Sequence, residues 1–134
     1  MRAKLSVLRA CRRVLRPGGR IAFFTIYPAE GLSEKDYRRV IRSRPPGLGT
    51  FRRDHRELLA SAGFVAVAET DTSAEFLRVA RGWLEGRERN SSEMRAIEGD
   101  IDFSANQSER RRTVKAIKEG VLRRSLFVAT APFT

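Results

Sequence analysis

Most of the side chains in this sequence that could do chemistry stand at spacings that suit a surface or a core better than a reaction site. His55 is the only histidine. It falls at the start of a helix, where it reads either as a solvated first-turn residue or as a general base bordering a pocket. Thr25 and Tyr27 close a strand at its carboxyl end, the edge at which open α/β sheets bind ligands, and Tyr27 can offer a hydroxyl or a ring. These three are the candidate substrate-binding residues. Glu98, Asp100 and Asp102 cluster in the run Glu-Gly-Asp-Ile-Asp. Their oxygens suit a hard cation, but without a regular loop pattern they read as a solvated acidic connector. Glu109 stands beside Arg110, Arg111 and Arg112, where a surface ion pair is its expected role. Trp83 reads as a core side chain. No Ser/His/Asp or Cys/His spacing supports nucleophilic catalysis, so catalytic residues are not assigned and no metal site is expected.

The elements that must position these residues follow from punctuation and periodicity. Leu5, Leu8, Cys11 and Leu15, with Val14 beside them, mark one face of a helix over residues 3–16. Pro17 cannot continue that helix, and Gly18 or Gly19 can take the left-handed conformation that closes its last carbonyls. Residues 20–27 form a strand apolar on both sides, the pattern of a strand covered on both faces; Pro28 cannot donate to a ladder. Ser33 with Asp36 opens a helix to about Arg42, and residues 44–49 break the chain. Asp54 with Glu57 opens a helix carrying Leu58, Leu59 and Ala62. Gly63 closes it, and a second strand starts at Phe64. Thr72 with Glu75, Asn90 with Glu93 and Ser104 with Gln107 open three further helices. Phe76, Leu77, Ala80 and Leu84 line the first of these; Met94 and Ile97 the second; Val114, Ile117 and Val121 the third. Residues 124–130 are a third strand.

Composition narrows the classes. Lysine and arginine number 27 against 16 acids, a net charge of +11. Arginine spread along the whole chain reads as a solvated basic surface, and nucleic acid is not the expected partner. The single cysteine, Cys11, excludes a disulfide framework and a thiolate zinc site and suits a reducing, cytoplasmic compartment. No apolar run is long enough for a membrane span. The basic, acid-free start superficially matches a transit peptide, but it runs straight into the Pro-Gly-Gly turn and a strand and is read as structure.

Two segments carry a family resemblance. Arg13-Val14-Leu15-Arg16-Pro17-Gly18-Gly19, followed by an apolar strand, resembles the approach to the fifth strand of class I S-adenosylmethionine-dependent methyltransferases. Glu57-Leu58-Leu59-Ala60-Ser61-Ala62-Gly63-Phe64 resembles that family's helix that stops at glycine before the sixth strand. The resemblance implies a partial Rossmann-like α/β fold, with a three-stranded mixed sheet of local order 5-7-6 and flanking helices. Strand seven would run antiparallel between the other two. Residues 1–134 would be a single incomplete methyltransferase-like domain, with residues 72–122 a helical insertion or lid over the substrate side.

In such a fold the cofactor lies at the ends of strands one to four. It needs a glycine-rich turn after the first strand and an acid after the second. Neither is found here: Gly18-Gly19 precedes a strand, and Pro46-Gly47-Leu48-Gly49 has G-x-G spacing without the flanking strand and helix. The expectation is therefore the carboxyl-terminal part of an enzyme that moves a methyl group from S-adenosylmethionine to a small-molecule acceptor. This chain alone is expected not to bind the cofactor. Strand 20–27 would then expose an apolar edge, open to self-association or to pairing with a missing half. The alternative is a non-enzymatic basic module for nucleic acid or a partner protein. Arg110, Arg111, Arg112, Lys115 and Lys118 favour it, and the lack of aromatics between Phe103 and Phe127 argues against stacking on single strands.

Overall fold

The computed structural model describes residues 2–42 and 55–133. Its elements in chain order are α1 (Arg2–Val14), β1 (Arg20–Pro28), α2 (Glu34–Arg42), α3 (His55–Ser61), β2 (Val65–Asp71), α4 (Ser73–Arg89), α5 (Ser91–Glu98), α6 (Asp100–Lys118) and β3 (Leu122–Thr130). The strands form one sheet in the order β1-β3-β2. β3 pairs antiparallel with β2. It is also antiparallel to β1, because Gly18 and Gly19 bond Ala131 while Ala29 bonds Val121. The sheet thus has the expected local order, with β3 antiparallel between β1 and β2, which run the same way on either side of it. Contacts divide the chain into two compact units, residues 1–26, 49–71 and 124–134 in one and residues 27–48 and 72–123 in the other.

In the first unit, Leu8, Leu58, Leu59, Ala62, Phe64, Phe127 and Ala129 form the buried core, and Leu5, Cys11, Leu15, Ile21, Phe23 and Val67 pack around it. The predicted α1 face is thus the one that meets the sheet. Val14 is not on it and stands 83% exposed. Periodicity placed it next to the stripe, but the helix ends there and the side chain turns away.

The turn after α1 is built differently from the expected cap. Gly19 N–H donates to the Arg16 carbonyl, closing a four-residue turn with Pro17 second and Gly18 third at φ +78°. This is the type II arrangement, which requires positive φ at the third position. Gly18 N–H goes instead to Ala131, so the glycine ties the start of β1 to the end of β3. Gly63 does act as the helix stop. With Gly63 at φ +93°, Phe64 N–H bonds Leu59 and Gly63 N–H bonds Ala60, the double bond pattern that satisfies the last carbonyls of α3. The Asp54 part of the predicted α3 capping pattern, and the 44–49 break with its G-x-G, lie outside the described residues.

β1 is less covered than its composition predicts. Ile21 and Phe23 face the core, whereas Ala22 and Phe24 are exposed on the other side. Apolar content alone cannot tell a strand covered on both faces from one whose second face is open. β2 pairs with β3 only and holds one irregularity. Val65 stands opposite Thr130 and Ala68 opposite Val128, so β2 carries an extra residue, and Ala66 takes φ +51°.

In the second unit, Val40, Phe76, Phe103, Ala116, Ile117, Val121 and Leu122 are buried. Among the described residues no helix is long and apolar enough to cross a membrane. The Ser33 cap is present, with Asp36 N–H donating to Ser33 Oγ at 3.1 Å. The other cap patterns are used otherwise. Thr72 makes no side-chain cap bond to α4. Asn90 Nδ2 donates back to the Gly86 carbonyl and so closes α4 instead of opening α5. α6 begins at Asp100, four residues before Ser104. Its Gln107 is 1% exposed and engaged with α4. Ile97 and Trp83, expected to pack, are exposed, Trp83 at 63%.

Candidate functional site

Alternation along β1 puts Ile21, Phe23 and Thr25 on the face covered by α1 and α3. At that position Thr25 meets the first residue of α3. Thr25 Oγ1 and His55 Nε2 lie 3.0 Å apart in a part-buried hydrogen bond. The imidazole sits against the Phe127 ring, centroids 5.6 Å apart and planes tilted by 34°. Phe127, fully buried on β3, stacks in turn on Phe23 at 5.7 Å. The result is a short row, Phe23–Phe127–His55–Thr25. It fixes the imidazole plane and commits one ring nitrogen to the threonine hydroxyl.

Two of the three predicted substrate residues are therefore brought together. Tyr27, half-buried near the end of β1, belongs to the second unit. Phe127 was not foreseen as part of this group. Its signal in the sequence is its place in the middle of a strand, indistinguishable there from an ordinary core position. Chemically the pair can orient a polar group and exchange a proton with it through the imidazole.

The second unit contains a polar cluster that the sequence did not disclose. The Arg87 guanidinium bonds both carboxylate oxygens of Glu98, at 2.9 and 2.7 Å, and donates to Gln107 Oε1 at 2.6 Å. Gln107 passes the connection on, donating to Glu88 at 3.0 Å, and Arg111 donates to the same Glu88 oxygen at 2.6 Å. Asn106 adds a bond to Glu98 at 3.1 Å. The guanidinium carbons of Arg87 and Arg95 lie 5.4 and 4.5 Å from the Phe103 centroid.

The bonds from Arg87 and Asn106 hold the Glu98 carboxyl below its ordinary value. Those from Gln107 and Arg111 do the same for Glu88. Glu98 raises Arg87 in return. Side chains so fully engaged with one another form a clasp between α4, α5 and α6. Glu98 and Asp100, weighed above for a cation, instead receive Arg87 and Arg95. Among the described residues no group of three or more His, Cys, Asp or Glu side chains converges. Val79, Gly82, Trp83, Gly86, Arg87, Asn90 and Met94 line an open groove of about 500 Å³ on the same helices.

No family model and no curated protein matches the chain. Solved structures do. The Galdieria sulphuraria structure assigned as a sarcosine dimethylglycine methyltransferase matches with a TM-score of 0.81 at 16% identity, over 98% of this chain and 48% of that one. A cyclopropane synthase from Mycobacterium tuberculosis matches with a TM-score of 0.78 at 15% identity, over 95% of this chain and 49% of that one. Haemonchus contortus phosphoethanolamine N-methyltransferase 2, solved with S-adenosyl-L-methionine, matches with a TM-score of 0.76 at 17% identity, over 96% of this chain and 30% of that one. The chain thus spans half or less of the length of these structures. Its three strands and their helices have the fold of the carboxyl-terminal part of these S-adenosylmethionine-dependent methyltransferases.

Proposed function

We propose that this chain is the acceptor-side part of an S-adenosylmethionine-dependent methyltransferase acting on a small molecule. The observation that carries the reading is the fold match over 95–98% of the chain. Thr25 and His55 bind and orient the acceptor, with His55 taking up a proton the acceptor gives up. Residues 72–122 are the helical insertion of this domain. The described residues do not fit the cofactor. The one positive-φ glycine between a strand and a helix is Gly31, and it stands alone with no neighbouring atom a Cβ would meet. A nucleoside cradle uses several glycines so that backbone can approach the ligand closely. On this reading the cofactor is held outside the described residues, and the chain alone is expected not to bind it. The enzyme acts in the cytoplasm.

Two measurements test this. Calorimetric titration of the pure chain with S-adenosylmethionine should give no heat of binding at micromolar cofactor. The protein as isolated from the cells that make it, supplied with methyl-labelled cofactor and a panel of small amines including phosphoethanolamine and sarcosine, should label a small molecule. Label appearing on nucleic acid or protein, or no transfer to any acceptor, would overturn the reading.

A further inference from the structure

α4 keeps one apolar flank that its own unit leaves open. Phe76 turns inward and is buried, whereas Val79 is 42% and Trp83 63% exposed. Both line the groove of about 500 Å³ that they share with Met94 of α5. Part of that groove is bare backbone. A Cβ at Gly82 would meet no atom within 4 Å, and one at Gly86 would meet only Arg89 Nη2 at 3.8 Å. Glycine inside a helix is less favourable than alanine, and these two, one turn apart, leave a gap into which a large side chain can come close. The groove suits an apolar occupant, because its polar side chains are already engaged. Arg87 bonds Glu98 and Gln107, and Asn90 bonds the Gly86 carbonyl. Trp83 is itself such an occupant, a largely bare ring standing beside the gap. A face that carries both a projecting ring and a gap to receive one is self-complementary, the condition for a twofold contact between identical chains.

Charge selects the same face. Residues 72–122 hold ten basic and nine acidic side chains, whereas the rest of the chain holds 17 basic and seven acidic. Like charges across an interface oppose association, so two copies meet with least repulsion through this segment. On α4 itself, Arg78 bonds Glu75 at 2.6 Å near one end, and Glu85 and Arg89 stand near the other. Antiparallel packing sets these two mixed ends against each other and opposes the helix dipoles. We propose that α4 is the contact of a homodimer. Two copies pack α4 against α4, antiparallel about a twofold axis, with Trp83 of each seated over the Gly82/Gly86 gap of the other. α4 is 17 residues, about 25 Å long, so the contact stands at the small end of specific interfaces and the dimer is a micromolar one. The inference rests on the second unit alone, not on the methyl-transfer reading.

Trp83 is the only tryptophan, so its emission reports on this surface and no other. The test is sedimentation equilibrium of the full chain from about 1 to about 300 µM, with tryptophan emission recorded on the same samples. The expected result is a monomer–dimer equilibrium with a micromolar Kd and a blue shift of the emission that tracks the dimer fraction. Gly82→Leu fills the gap without meeting a neighbour inside the single chain, so it should keep or raise the melting temperature while weakening the dimer at least about tenfold. Trp83→Ala, at an exposed position, should weaken it as much. A monomer at every concentration, a dimer whose emission does not move, a dimer that either variant leaves intact, or species that keep growing past the dimer would each overturn the proposal. A dimer that behaves as described while no methyl group is transferred would leave the contact standing and remove the function proposed above.

Discussion

Thr25 on β1 and His55 at the start of α3 share a hydrogen bond of 3.0 Å across thirty residues of chain. It links a sheet strand to the helix above it at the point where Phe127 closes the core beneath. A part-buried hydrogen bond contributes on the order of 0.5–1.5 kcal/mol. Thr25→Val and His55→Phe, alone and combined, should therefore show a coupling of that size in a denaturant-unfolding cycle. Strict additivity would mean that the bond does nothing for the fold.

The bulge in β2 holds an alanine where glycine is preferred. Ala66 at φ +51° carries the strain of a left-handed L-residue. Ala66→Gly removes that strain while making the unfolded chain more flexible, so the expected net gain is about 0.5 kcal/mol. The midpoint of urea unfolding should rise. A fall would show that the Ala66 methyl group has a packing role that outweighs its backbone.

The clasp in the second unit makes a prediction about acid. Hydrogen bonds from Arg87 and Asn106 depress Glu98, and those from Gln107 and Arg111 depress Glu88. Lowered carboxyl values in the folded state mean the unfolded chain binds more protons on acidification. The stabilising contribution is then complete above the ordinary value of 4.5 and is lost as pH falls through the depressed folded values. Thermal unfolding followed from about pH 6 to about pH 3 should show a steep loss, flattened in Glu98→Gln. An unchanged acid limb in that variant would show that the pair is screened by solvent.

Position in the fold separates two large apolar residues that the sequence treats alike. Leu59 is fully buried between α1 and the sheet, and Leu59→Ala should cost about 2–5 kcal/mol. Trp83 lines an open groove, and Trp83→Ala should cost less than about 1 kcal/mol. Equilibrium unfolding of the two variants side by side decides. Equal losses would place Trp83 in a core.

How much of this was legible beforehand follows from the range of each interaction. The sequence alone determined the order of helices and strands, the stop at Gly63, the inward face of α1 and the end of that helix before Pro17. Each depends on backbone dihedrals and on side-chain spacing within a few residues, which local types dictate. It also placed Thr25 at a strand end and His55 at a helix start, the two positions from which they could meet.

Only the tertiary structure decided that they do meet, because the bond needs α3 laid over β1 at one register, and nothing within ten residues of either encodes that. The same holds for Ser104, Gln107, Asn90 and Trp83. Ser104 with Gln107 reads as a helix start, yet burial against α4 makes Gln107 the bridge between Arg87 and Glu88. Asn90 could cap either helix it separates, and it bonds backward to Gly86. Trp83 has the apolar surface of a core residue, but on its side of α4 lies an open groove shared with Met94 of α5, and it stays 63% exposed. A side chain's type sets which contacts it can make. Which of them form depends on the elements brought to it from elsewhere in the chain, and that is fixed only when the core is packed.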